Sequence, residues 1–197
     1  MEYILMRHAN DIGLNDTYCQ IRDLASRNGV TLERASILER MASLAVDPDS
    51  AYVHPEVIEI ARQRKETRQI LLRQHPDIQF VNQNVLTETA GRISQRVAGR
   101  PLTIAYNDAL RTEFTALSVA RITGGNLVAG ELEKAKHVYQ WMDEHRGEDG
   151  LGLIVTHEPA IRGITGMLWG KIPHSSAYFV GRQANGSMTD MTDLQLV

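Results

Sequence analysis

Tyr3 to Met6 is a short apolar run with aromatic and β-branched members, closed at once by Arg7 and His8. It predicts a buried strand whose polar end sits at the edge of a sheet. Asn10 to Thr17 is polar around Gly13 and predicts a loop. Three helical patterns follow. Tyr18 to Arg27 sets Ile21, Leu24 and Ala25 on one face and stops at Asn28-Gly29. Thr31 is placed to cap a second helix with an apolar stripe of Leu32, Ala35, Leu38, Met41, Leu44 and Ala45, ended by Asp47-Pro48. Pro55 opens a third, marked by Val57, Ile58, Ile60, Ala61, Ile70 and Leu71 around a charged middle at 61–68.

The second half alternates differently. A helix is expected from Leu86, with Thr87 or Thr89 as its cap and Ile93 and Val97 buried. Leu102 to Tyr106 reads as a strand ending in Asn107-Asp108, and Arg111 heads a helix that closes near Gly124-Gly125. After Gly130 a long amphipathic helix is predicted over Glu131 to Glu144, turning Leu132, Ala135, Val138, Tyr139 and Met142 inward. Leu151 to Thr156 is apolar throughout, as in a strand buried on both faces, and it ends in His157-Glu158-Pro159 before a helix from Ala160. Ala177 to Val180 and Leu194 to Val197 predict closing strands, with Asn185-Gly186 as a turn signal between them.

Composition narrows the class. The net charge of −3 argues against a general nucleic-acid surface, which shows a basic excess. The lone Cys19 excludes an internal disulfide and suits a reducing compartment. No basic and apolar leader is visible, and no apolar run is long enough to span a bilayer. A cytoplasmic protein with no membrane partner is therefore expected. At 197 residues one domain, 1–197, accounts for the chain.

Two expected strand ends carry histidine, and Arg7 and Arg111 stand near them in the pattern. Arginine offers a planar fork of donors matched to phosphate, and a neutral imidazole is a nucleophile. A helix N-terminus beside Arg111 favours an anion through dipole and charge together. Other chemistries fit less well. His157-Glu158 does not open an HExxH zinc motif, since Ile161 stands where the second histidine belongs. Cys19 has no arginine at the spacing of a cysteine-phosphatase loop, and Gly124-Gly125 lacks the Lys-Ser/Thr of a P-loop. His54, His75, His137, His145 and His174 read as structural or solvated.

LMRHA, LTETAGRISQ at 86–95, YNDALRTEFTA at 106–116 and LIVTHEPAIRGI at 153–164 follow one another in an order that resembles the histidine phosphatase (phosphoglycerate mutase-like) superfamily, in its RHA-type small phosphatase branch. The resemblance covers residues 1–11 and about 86–197. It implies a three-layer α/β/α sandwich with a mostly parallel central sheet. It also implies a metal-independent phosphatase without cofactor, hydrolysing a phosphomonoester or protein phosphohistidine through a phosphohistidine on His8. Arg7, Arg111 and His157, with Asn10 behind His8, would form the phosphate pocket. Two residues stand as proton donor: Glu158, as in the acid-phosphatase branch, and Glu131, where the mutase branch carries its acid. The mutase pattern RHGxSxxN is absent, so phosphoglycerate-mutase-type transfer is the alternative within enzymes. A non-catalytic phosphoanion-binding module is the alternative outside them.

The stretch 14–80 has no counterpart in compact members of that family and reads as a helical insertion or cap after the first strand. A cap would bring one of its arginines, or Tyr52, over the carboxyl edge of the sheet near His8 and so select a phosphorylated small molecule or phosphoprotein. The competing expectation is a homodimer surface built from Leu38, Met41, Ile60 and Leu71.

Overall fold

A computed structural model of the chain describes residues 2–9, 14–46, 83–167, 172–182 and 188–193. Its strands are β1 (Glu2–Arg7), β2 (Leu102–Tyr106), β3 (Asn126–Ala129), β4 (Leu151–Thr156), β5 (Ala177–Arg182) and β6 (Met188–Asp193). The described helices are α1 (Leu14–Arg27), α2 (Arg34–Val46), α3 (Gln83–Val97), α4 (Leu110–Thr123), α5 (Ala135–Glu144) and α6 (Glu158–Thr165). The strands form one sheet in the order β3-β2-β4-β1-β5-β6. The β3-β2, β2-β4 and β4-β1 pairs are parallel, while β5 runs antiparallel to both β1 and β6. The fold is an α/β/α sandwich on a mostly parallel sheet.

Alternation along the central strands makes the two cores. Ile4 and Met6 of β1 join Ile37, Leu38, Met41, Ala42, Ile93, Phe114 and Val119 on one face. Tyr3 and Leu5 turn to the other, with Val138, Trp141, Met142, Ile161 and Ile164. Helices α2, α3 and α4 thus cover one face, and α5 and α6 the other. Each fully buried side chain of this size stabilises the fold by ~1.5–3 kcal/mol.

Chain direction explains which helix goes where. From β1 to β2 to β3 the chain moves one way across the sheet; from β3 to β4 it comes back. Parallel crossovers are right-handed, so reversal of direction moves the connecting helix to the opposite face. The chain leaving β1 packs α2 on one face and the chain leaving β4 packs α6 on the other, the arrangement that leaves a crevice at the carboxyl ends of two neighbouring strands.

Several boundaries differ from the pattern-based expectation. Helix α1 starts at Leu14, inside the expected loop. On α2, Ala35 is exposed and the buried face is Ile37, Leu38, Met41 and Ala42. Because Leu38 and Met41 pack in the chain's own core, they are not available to a homodimer surface. Helix α3 begins at Gln83, so Thr87 and Thr89 lie within it rather than capping it. Helix α5 begins only at Ala135; residues 131–134 form a connection, with the Thr156 hydroxyl donating to the Leu132 carbonyl. The short strand β3 was not expected: its four residues are exposed at the sheet edge and carry no alternation to read. The second arm of the closing hairpin is Met188–Asp193, ahead of the expected 194–197. The third expected helix with Ile60 and Leu71, Tyr52, Asn10, and the Asn185-Gly186 turn lie outside the described residues. None of the described helices is long and apolar enough to cross a membrane.

Candidate active site

The site grows out of the end of β1. His8 N donates to the Thr156 carbonyl at 3.0 Å, so the chain stays beside β4 for one residue past the strand. Ala9 N then donates to the Thr115 hydroxyl of α4 at 2.9 Å. These two bonds leave His8 only 5% exposed at the mouth of the crevice. Its Nδ1 lies 2.8 Å from the Ala9 carbonyl. A carbonyl can only accept, so Nδ1 carries the proton and Nε2 presents a lone pair. Burial, the largest cause, pushes the His8 pKa down to about 4; the bond to Ala9 opposes this, and His157, His174 and Arg7 add to the depression.

His157 ends β4 and stands at the N-cap position of α6, with extended φ −96° and ψ 155°. Its ring centroid is 4.7 Å from that of His8. Asn107, at the end of β2, donates from Nδ2 to His157 Nε2 at 3.4 Å. Burial lowers the proton affinity of His157; Glu133 raises it, and Arg111 and Arg7 lower it.

Arg7 reaches from β1 to α6. Its Nη1 lies 2.9 Å from Glu158 Oε2 and also donates to the Ile172 carbonyl. The other oxygen of Glu158 receives Arg162 Nε at 2.9 Å and Nη2 at 2.6 Å. Burial pushes the Glu158 carboxyl upward, but the Arg162 hydrogen bond and the charges of Arg7 and Arg162 outweigh it and hold the pKa below the usual range. Glu158 is therefore an ionised brace between two guanidinium groups. Glu131 is exposed on the connection before α5. The carboxylate in that connection whose charge reaches His157 is Glu133.

Arg111 is exposed in the first turn of α4, and its charge reaches both His157 and His174. The loop before it is braced by Thr112, whose hydroxyl donates to the Asn107 carbonyl at 2.8 Å. From α2, Arg34 lies 3.1 Å from Asp108 Oδ1 and 2.7 Å from Glu113 Oε2. Helix α2 is thus tied to the loop that carries Arg111.

Sequence patterning overlooked two members of the site. Glu133 falls inside the helix that periodicity predicts. His174 reads from sequence as structural or solvated, yet its ring centroid is 5.4 Å from that of His8. The signal was available: Pro173-His174 precedes a closing strand, and an antiparallel strand starts where its parallel neighbours end.

Among the described residues, no group of three or more His, Cys, Asp and Glu is arranged to hold a metal ion. Fold and site define an α/β protein with three imidazoles and two arginines gathered at the carboxyl edge of a parallel sheet, a setting suited to an anion. No family profile and no curated protein sequence matches the chain. Among solved structures, the chain is similar to a mycobacterial glucosyl-3-phosphoglycerate phosphatase, with TM-score 0.48 and 10% identity over 98% of this chain and 96% of that one. It is also similar to a proposed phosphohistidine phosphatase SixA from Agrobacterium tumefaciens, with TM-score 0.45 and 14% identity over 97% and 96%. A phosphoserine phosphatase from Entamoeba histolytica matches with TM-score 0.45 and 9% identity over 97% and 96%.

Proposed function

We propose that the chain is a metal-independent phosphatase that hydrolyses a phosphomonoester, or a protein phosphohistidine, through a phosphohistidine on His8. The observation that carries this reading is the 2.8 Å contact between His8 Nδ1 and the Ala9 carbonyl, from which the tautomer follows. The Nδ1 proton is spent on the Ala9 carbonyl, so Nε2 is an unprotonated nucleophile in a cationic crevice. Arg7, Arg111 and His157 then serve as donors to the equatorial oxygens of the transferring group and stabilise the charge that shifts there. Water completes the reaction by releasing phosphate from nitrogen.

Incubation with a ³²P-labelled aryl phosphate in chelator, quenched in base, tests it. Label is expected on a single histidine of the wild-type protein and absent from His8→Ala. Turnover that survives loss of His8, or that strictly needs added metal, overturns the proposal. The engagement of both Glu158 oxygens by arginine favours one other reading, a phosphoanion-binding module without turnover. Such a protein would bind vanadate yet form no labelled histidine.

A further inference from the structure

We propose that His174 is the general acid and base of this site, a role that rests on His8 being the phosphoryl acceptor. Its place is built, not incidental. Arg7 N donates to the Ser176 carbonyl at 3.0 Å, and Ser175 N donates to the Arg7 carbonyl at 3.1 Å, so the segment before β5 is zipped to the end of β1. Buried Ser175 takes φ +60°, a left-handed conformation that costs a non-glycine residue ~1–2 kcal/mol. The chain accepts that strain in the turn that sets His174 against His8.

The orientation of the ring follows from its anchor. His174 Nδ1 lies 3.3 Å from the His8 carbonyl, which can only accept, so Nδ1 carries a proton. The opposite nitrogen, Nε2, makes no hydrogen bond to a described residue and is free to exchange a proton with a ligand on His8. The carboxylate beside it is committed, since Glu158 is held by Arg7 and Arg162. His157 Nε2 receives Asn107, which leaves that ring only its other nitrogen for the phosphoryl oxygens.

Charge makes the role conditional on substrate. The groups facing His174 are Arg7 from β1, His8 just past it, Arg111 from α4 and Glu158 from α6. Burial and the two arginines push its pKa below the ordinary histidine value, against the opposing pull of the His8 carbonyl and Glu158. A phosphoryl dianion between those arginines offsets their charge, so the imidazolium becomes accessible when substrate is bound. His8 Nε2 then attacks phosphorus, the P–N bond forms as the ester P–O bond breaks, and the leaving oxygen takes the Nε2 proton of His174. Neutral His174 next accepts a proton from water as its oxygen attacks phosphorus. The P–N bond breaks, its electron pair returns to His8, and hydrogen phosphate leaves.

The test compares phosphorylation rates for 2,4-dinitrophenyl phosphate, whose leaving group needs no proton, and phenyl phosphate, whose leaving group does. In His174→Gln the phenyl ester is expected to slow by ~10²–10⁴-fold and the dinitrophenyl ester by ~10-fold or less. In the wild type, the phenyl ester alone is expected to show a falling rate toward high pH. His174→Asn, checked by thermal stabilisation with vanadate, repeats the comparison if glutamine disturbs the segment. Equal slowing of both esters, or none, overturns the role of His174 alone. Wild-type protein that labels no histidine with either ester overturns the reading of His8 as well.

Discussion

Arg7 Nη1 lies 2.9 Å from Glu158 Oε2, an ion pair between the residue before His8 and the residue after His157. The side chains are 14% and 21% exposed, so the pair is drier than an ordinary surface salt bridge. It joins the ends of β1 and β4 across the crevice, and Arg162 holds its far side. Glu158→Gln is expected to lower kcat/KM by ~10–100-fold, equally for good and poor leaving groups, because Arg7 loses its brace. An aryl phosphate series measures this. Loss confined to poor leaving groups would instead make Glu158 the proton donor.

Burial pushes the His8 pKa down to about 4, so its neutral form, the nucleophile of the proposed reaction, persists well below neutrality. The acid limb of kcat/KM is expected near that value, not near the ordinary histidine value of ~6.5. A limb at 6 or above would contradict the buried environment.

The same depression links stability to pH. Between about 4 and ~6.5 the unfolded chain binds a proton at this histidine and the folded chain does not, so stability rises with pH across that window. On acidification His8 alone removes ~3 kcal/mol, and His157 and His174, also lowered, act in the same direction. Urea titrations at pH 4.5 and 7 should show this fall, and His8→Gln should reduce it, leaving the smaller part due to His157 and His174.

Arg34 couples helix α2 to the loop bearing Arg111. Arg34→Ala leaves buried Glu113 Oε2 without its cation and is expected to cost ~1 kcal/mol. A rise in KM several-fold greater than the fall in kcat is expected, since the loop and not the nucleophile is loosened. Steady-state kinetics with an aryl phosphate would detect the opposite split.

Gly150 sits at φ +108°, and a Cβ there would come within 2.4 Å of the Pro101 carbonyl oxygen. That oxygen also accepts from Leu151 N at 2.9 Å, so it cannot withdraw without loosening the start of β4. Gly150→Ala is expected to destabilise the protein by more than ~2 kcal/mol. A denaturant midpoint equal to wild type would refute the clash.

Local periodicity was sufficient for β1, β2 and β4, for the fourth helix, and for the placing of Arg7, His8 and His157 at strand ends; for the second helix it placed the element but only Leu38 and Met41 of its buried face. Strand burial imposes a run of apolar side chains, and its end imposes polar ones, within six residues. Helix α5 was half legible: Val138 and Met142 face the core, but Leu132 is buried from a loop, and burial alone cannot distinguish the two. Edge strand β3 left no trace, because an exposed strand need not alternate. What only the tertiary structure decided is the company each charged group keeps. His174 meets His8 across 166 positions because β5 enters antiparallel to β1. Glu158 became a brace because α6 turns it back onto Arg7, 151 positions away, which no local pattern records. Side-chain type and spacing set what a residue can do; the right-handed crossovers and one antiparallel return set which residues it can do it with.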